Sequence, residues 1–123
     1  MEKKITIIIP SIGRKQLLAR AVKSLSDQLS WPDEIIVVNS GNEKISTQDF
    51  ESDIKEKVII FNLPQRINVS QARNFGVNYA KNEYVGFLDE DDEYSNMVIK
   101  SFRSQKIEDC FYFHFPMSYK LFS

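Results

Sequence analysis

Residues 5–9 read Ile-Thr-Ile-Ile-Ile and stop at Pro10. All five are β-branched, which favours an extended backbone, and the run is apolar on both faces. A strand of that kind must be covered on both sides, as strands of parallel sheets flanked by helices are. Lys3-Lys4 ahead of it looks superficially like the start of a secretory leader. The apolar run is only five residues long with one Thr inside it, so it is neither a leader core nor a membrane span.

The rest of the chain repeats this logic. After the Pro10-Ser11-Ile12-Gly13 break, Leu17, Leu18, Ala21, Val22, Leu25 and Leu29 form one stripe at helical spacing. Trp31-Pro32-Asp33 turns into a second strand, Glu34 to Val38, closed by the turn-forming Asn39-Ser40-Gly41-Asn42. Residues 47–54 form a weaker helical pattern, and Val58 to Phe61 a third strand. Val69 to Ala80 reads as a helix with Val69, Ala72, Gly76, Tyr79 and Ala80 on or near one face. Gly76 costs that helix about 1 kcal/mol against Ala, which predicts close packing on the sheet. Tyr84 to Leu88 is a fourth strand, Met97 to Phe102 a short helix and Cys110 to Phe115 a fifth strand. The alternation predicts an α/β fold, a Rossmann-like sandwich with a mostly parallel central sheet, in one domain spanning residues 1–123. In such sheets ligands bind at the carboxyl ends of the strands. Three segments converge there: 10–14, 39–42 and 89–93.

Charge narrows the functional classes. The chain carries 16 basic and 17 acidic side chains, a net charge of -1, which argues against a nucleic-acid partner. The single cysteine, Cys110, excludes an internal disulfide framework and fits a reducing compartment. The near-neutral total is a separation of charge rather than its absence, because Asp89-Glu90-Asp91-Asp92-Glu93 places five acids directly after the fourth strand. In an extended stretch Asp89 and Asp91 point one way and Glu90 the other. Two carboxylates converging at a crevice suit a hard divalent cation such as Mg²⁺ or Mn²⁺. The alternative is a solvated acidic turn that favours the N-terminus of the next helix. A calcium loop of the EF-hand type is excluded, since its glycine and glutamate positions hold Tyr94 and Lys100. An aspartyl phosphatase, with Asp89 as nucleophile, stays open as an alternative, although that pattern belongs on the first core strand. No Gly-x-Gly-x-x-Gly follows the first strand, so dinucleotide binding is not expected.

Four segments occur in a telling order: Ile7-Ile8-Ile9-Pro10-Ser11, Ile36-Val37-Val38-Asn39-Ser40-Gly41, Ala72-Arg73-Asn74-Phe75-Gly76 and Phe87-Leu88-Asp89-Glu90-Asp91-Asp92. Together they resemble the N-terminal, nucleotide-sugar-binding half of family 2 glycosyltransferases with the GT-A fold. The resemblance implies transfer of a sugar from a nucleoside diphosphate donor to a glycan or lipid-linked glycan acceptor, assisted by Mg²⁺ or Mn²⁺, in the synthesis of a cell-surface polysaccharide or glycoconjugate. It implies that Pro10 and Ser11 line the nucleobase pocket, that Arg73 contacts the donor, and that Asp89 and Asp91 are the ends of an Asp-x-Asp motif. Asp89 would lie near ribose and metal, Asp91 on the metal, and Asp92 behind them. Asn39 stands where the family usually has an Asp. An amide can pair with a base, but it lacks the charge-assisted bond of a carboxylate, which opens the base preference to another pyrimidine or a purine.

Arg73 and Arg14 both read as residues at helix starts, where the helix dipole disfavours a cation and an anionic partner such as phosphate is expected. Arg66 reads as a loop charge, His114 as a strand residue rather than a catalytic one, and Phe111-Tyr112-Phe113 as sheet packing. No general base stands out; Glu108 and Asp109 read as loop acids. The family's acceptor-binding half, expected beyond the acidic motif, has no counterpart before Ser123. A noncatalytic nucleotide-sugar-binding or assembly module is therefore an alternative, and self-association through the C-terminal end around Leu121-Phe122 is expected. The implied location is cytoplasmic, at or near the inner face of the membrane.

Overall fold

A computed structural model describes residues 3–51 and 53–105. The elements follow one another as β1 (Ile5–Ser11), α1 (Lys15–Ser26), β2 (Glu34–Asn39), two 3₁₀ turns (Thr47–Asp49 and Asp53–Lys57), β3 (Val58–Asn62), α2 (Val69–Tyr79), β4 (Tyr84–Phe87) and α3 (Val98–Ser104). The four strands form one sheet in the order β3-β2-β1-β4, and every neighbouring pair is parallel. The expected α/β sandwich with a parallel centre is what the chain forms. The expected fifth strand at 110–115, with Cys110, His114 and the C-terminal end, lies outside the described residues, as do Glu108 and Asp109.

Burial on both faces follows from the composition of β1 and β2, whose residues are all buried. Ile5, Ile7, Ile9, Ile35 and Val37 pack under α1 and α3 with Leu18, Val22, Leu25, Ile99 and Phe102. Ile8, Ile36 and Val38 point to the other face and pack with Ala72 of α2. Gly76 belongs to that second layer. A Cβ there would lie 2.5 Å from Ile8 Cγ2, so the helix reaches the sheet only because no side chain intervenes.

Several features differ from expectation. β1 continues through Pro10 to Ser11. The Ile8 carbonyl accepts from Leu88 N–H, so by alternation the backbone polar groups of Pro10 face the same side, past Phe87 where β4 has ended. The missing proline N–H is lost where no strand is left to receive it. α1 ends at Ser26, where the Trp31 indole donates to the Ser26 carbonyl at 2.9 Å. Leu29 therefore leaves the helical stripe and is exposed. Residues 47–54 form no α-helix; a reciprocal Ser46–Asp49 cap closes a single 3₁₀ turn, and Phe50 and Ile54 are buried from separate turns. Finally, Asn68 and Gln71 cap α2 reciprocally, which puts Arg73 fifth in the helix, in its second turn rather than its first.

Candidate functional site

Strand register sets out the site. Ser11 of β1 pairs with Asn39 of β2, which pairs with Asn62 of β3, so three polar side chains stand in one row at the carboxyl edge of the sheet. The loops beyond this row and beyond β4 carry the remaining candidates.

After β4, Asp92 N–H donates to the Asp89 carbonyl at 3.0 Å, closing a turn over residues 89–92. A turn replaces the strict alternation of an extended chain. Carboxylate oxygens of Asp89, Asp91 and Asp92 all come within 4.8 Å of one another, with Asp91 and Asp92 exposed. Asp92 thus joins the two acids expected to act together. Its carboxyl is held above the usual carboxylate range, first by partial withdrawal from water and then by repulsion from Asp91 and Asp89.

Glu90 does turn away from this group, but inward rather than to solvent. It is only 3% exposed. Its Oε2 accepts from the Ser11 hydroxyl at 2.6 Å, and its Oε1 accepts from Ile12 N–H at 3.1 Å and Arg14 Nε–H at 2.8 Å. The hydrogen bond to Glu90 raises the Arg14 pKa. Ser11 Oγ in turn accepts from Gly13 N–H at 3.0 Å. The acidic segment is fastened further along as well. Arg20 Nη2 meets Glu93 at 3.2 Å, and the buried Tyr94 hydroxyl donates to the Phe87 carbonyl at 2.6 Å. Burial pushes that phenol well above its usual range, so it remains a donor.

Arg73 reaches across from α2. Its Nη2 lies 3.0 Å from Asp89 Oδ1, its guanidinium lies over the Phe87 ring, and its Nε is buried without a hydrogen-bond partner among the described residues. The anion expected beside this arginine is thus, in the free protein, Asp89.

Asn39 is 1% exposed and its amide is occupied. Nδ2 donates to the Glu43 carbonyl at 2.7 Å and to Asn62 Oδ1 at 2.8 Å, while Oδ1 accepts from Gly41 N–H at 2.9 Å. The loop it shapes lies against the β1–α1 loop so closely that a Cβ on Gly41 would fall 1.9 Å from the Ile12 carbonyl oxygen.

The sheet edge therefore gathers Ser11, Arg14, Asn39, Asp89 and Asp91, with Arg73 supplied by α2. Pro10 and Ser11 are buried within β1, and the polar atoms of Ser11 and Asn39 are engaged inside the protein. Sequence reasoning missed Glu90 as an inward anchor and Asn62 as the partner of Asn39. For Asn62 the usable signal was a polar residue closing an apolar strand next to another strand closed by an amide.

Comparison with known proteins agrees with this fold. The model of the family described as "Glycosyl transferase family 2" matches residues 6–110. The GalNAc(5)-diNAcBac-PP-undecaprenol beta-1,3-glucosyltransferase of Campylobacter jejuni is 31% identical over 94 residues, which is 73% of this chain and 30% of that protein. The uncharacterized glycosyltransferase EpsJ of Bacillus subtilis is 31% identical over 97 residues, 78% of this chain and 28% of the relative. The chain thus spans about a third or less of the length of these relatives. Among solved structures, residues 1-349 of S. aureus TarS superpose with a TM-score of 0.68 at 23% identity, over 80% of this chain and 31% of that one. The mannosyltransferase PcManGT from Pyrobaculum calidifontis, in complex with GDP-Man and Mn2+, superposes with a TM-score of 0.65 at 19% identity, over 80% of this chain and 32% of that one. With the family model covering nearly the whole described fold and these structures sharing its sheet, the chain belongs to glycosyl transferase family 2.

Proposed function

We propose that the chain binds a nucleoside diphosphate sugar together with a divalent cation, Mg²⁺ or Mn²⁺, as the donor side of a glycosyl transfer. One observation carries this reading: Asp89, Asp91 and Asp92 bring carboxylate oxygens within 4.8 Å of one another at the carboxyl end of β4, beside Arg73. The donor set fits a hard cation, being oxygen only, accessible and anionic. The Asp92 carboxyl is raised first by partial burial and then by repulsion from Asp91 and Asp89, and that repulsion is the kind a bound dication relieves. Asp89 and Asp91, with Asp92 beside them, would hold the ion, which when bound neutralises charge on a departing diphosphate. Arg73 supplies a planar cation suited to phosphate oxygens.

The relatives support the donor class. PcManGT is in complex with GDP-Man and Mn2+, and TarS has been solved with UDP-GlcNAc. They also support a glycan or lipid-linked glycan acceptor, in synthesis of a surface polysaccharide or glycoconjugate, because the Campylobacter relative is named for an undecaprenol-linked glycan. No helix among the described residues is long and apolar enough to cross a membrane. The proposed setting is the cytoplasmic face, with the chain peripheral to the lipid.

Calorimetry with UDP, GDP, CDP, dTDP and ADP, each with and without Mn²⁺, tests this function. At least one should bind in a metal-dependent way, and Asp91→Ala should abolish that dependence. If none binds in the presence of Mn²⁺, the proposal fails. A phosphate mimic trapped covalently on Asp89 would instead favour an aspartyl phosphatase.

A further inference from the structure

We propose that Glu90, the inward-facing member of the acidic run, is a positioning residue that locks the β1–α1 loop to the metal-binding turn and so presents the nucleotide site preformed. This role rests on the proposed nucleotide-binding function and deepens it. Glu90 would contact neither metal nor substrate.

The argument begins with burial. A carboxylate that is 3% exposed is costly unless its oxygens are well satisfied. Among the described residues its donors all come from the other end of the sequence: the Ser11 hydroxyl, Ile12 N–H and Arg14 Nε–H. Gly13 N–H is tied in through Ser11 Oγ. One side chain thereby fixes the four consecutive residues 11–14. A merely solvated acidic turn has no need of this, and Asp91 and Asp92 on the same turn remain exposed.

The lock extends further than the loop it grips. The Ile12 backbone is in close approach to Gly41. Gly41 and Glu43 are in turn held by the Asn39 amide. A path of contacts therefore runs from the carboxyl end of β4, through Glu90 and Ile12, to the carboxyl end of β2. The acids on one side of the crevice and the loops on the other are held in one arrangement before any ligand arrives. Ordering loops before binding removes that cost from the binding step, which improves affinity without a new contact.

The test uses Glu90→Gln, which keeps the shape but must turn an NH₂ toward either the Ser11 hydroxyl or the Ile12 and Arg14 donors. Glu90→Ala removes the lock altogether. In Glu90→Ala, hydrogen exchange at the Ile12 and Gly13 amides should accelerate at least tenfold, and in Glu90→Gln by less, because the amide can keep part of the set. Affinity for the nucleoside diphosphate that the unaltered chain binds best with Mn²⁺ should fall by about tenfold or more. Ile54→Val, a change in the core, supplies a control that lowers the melting temperature without touching the lock. It should leave nucleotide affinity unchanged. If Glu90→Ala does not fold, Glu90→Asp, which is too short to keep both the Ser11 and the Arg14 arms of the lock, is read the same way. Unchanged affinity in the Glu90 variants, or an equal loss in Ile54→Val, would overturn the role of Glu90 while leaving the proposed function standing. Failure of the unaltered chain to bind any nucleoside diphosphate would overturn both.

Discussion

Asn39 Nδ2 donates to Asn62 Oδ1 across the carboxyl edge of the sheet at 2.8 Å, and neither amide is free to turn over. Asn62 Oδ1 also accepts from Ile45 N–H and its Nδ2 donates to the Ile45 carbonyl, both at 2.9 Å. A backbone donor and a backbone acceptor on the same residue fix which end of the Asn62 amide is oxygen. That oxygen needs a donor opposite it, and an amide at position 39 provides one where a carboxylate would not. The departure from the family's acidic pattern is thus matched inside this protein by a second amide.

Asn39→Asp should therefore destabilise the chain. It would set a carboxylate oxygen against two acceptors, Asn62 Oδ1 and the Glu43 carbonyl, at distances that now suit hydrogen bonds. Leaving buried polar groups unpaired costs about 1–3 kcal/mol each. A loss of at least about 2 kcal/mol in urea denaturation is expected on that scale. Asn62→Ala should cost a similar amount, and combining the two changes should cost less than their sum. A fully stable Asn39→Asp protein would show that the amide pair does not shape this loop.

Gly76→Ala sets helix propensity against packing. Alanine favours the helix by about 1 kcal/mol. The new Cβ, however, would meet Ile8 Cγ2 at 2.5 Å and two further Ile8 carbons at 3.1 Å, and Ile8 is fully buried. Overpacking of this kind costs about 1–3 kcal/mol, so the net effect should be a loss. Ile8→Ala should be less damaging in the Gly76→Ala background than alone, because the two changes share one volume. Thermal melts of the four proteins would decide it; a more stable Gly76→Ala chain would mean α2 can shift outward at little cost.

How far the sequence revealed this arrangement depended on the range of the forces involved. β1 and β2 were legible because an all-β-branched apolar run admits one environment. The close approach at Gly76 was legible because a glycine in a helix needs a reason. The strand boundary at Pro10 was misplaced because the cost of a missing N–H depends on what faces it, here the end of β4. Residues 47–54 carry apolar residues four apart, which suits one helix or two successive turns equally. Glu90 was read as simply facing away from Asp89 and Asp91, since nothing local shows that Ser11, Ile12 and Arg14 wait on the far side. The position of Arg73 suggested an anionic partner. That Asp89 fills this place in the free protein depends on a contact between α2 and the loop after β4.

That contact gives a prediction for Arg73. The pair is half exposed, with side-chain exposures of 39% and 45%, and such pairs contribute at most about 1 kcal/mol. Arg73→Lys should therefore change the unfolding midpoint little. Nucleoside diphosphate binding in the presence of Mn²⁺ should nonetheless weaken by about tenfold, because an ammonium cannot reproduce a planar fork that lies over Phe87 and can meet two phosphate oxygens at once. Calorimetry on Arg73→Lys and Arg73→Met separates the two effects. Equal, wild-type affinity in both would remove Arg73 from the donor site.

The raised pKa of Asp92 fixes the sign of a pH effect. Its folded carboxyl keeps its proton to higher pH than the unfolded one, so the folded state binds more protons between about pH 4 and the raised value. Stability then falls as pH rises through that window, and the loss persists above it. Relative to Asp92→Asn, the wild-type chain should be equally stable below the window and less stable at neutral pH. Because Asp92 is exposed, solvent screening holds the difference to about 0.5 kcal/mol or less. Mn²⁺ should offset it, since a ligand that binds only the folded state stabilises by mass action. Melting curves at pH 4 and pH 7.5, with and without Mn²⁺, would show a metal-dependent rise at pH 7.5 that shrinks in Asp92→Asn and disappears in Asp91→Ala. A rise of equal size in all three proteins would mean that Mn²⁺ binds away from the turn after β4.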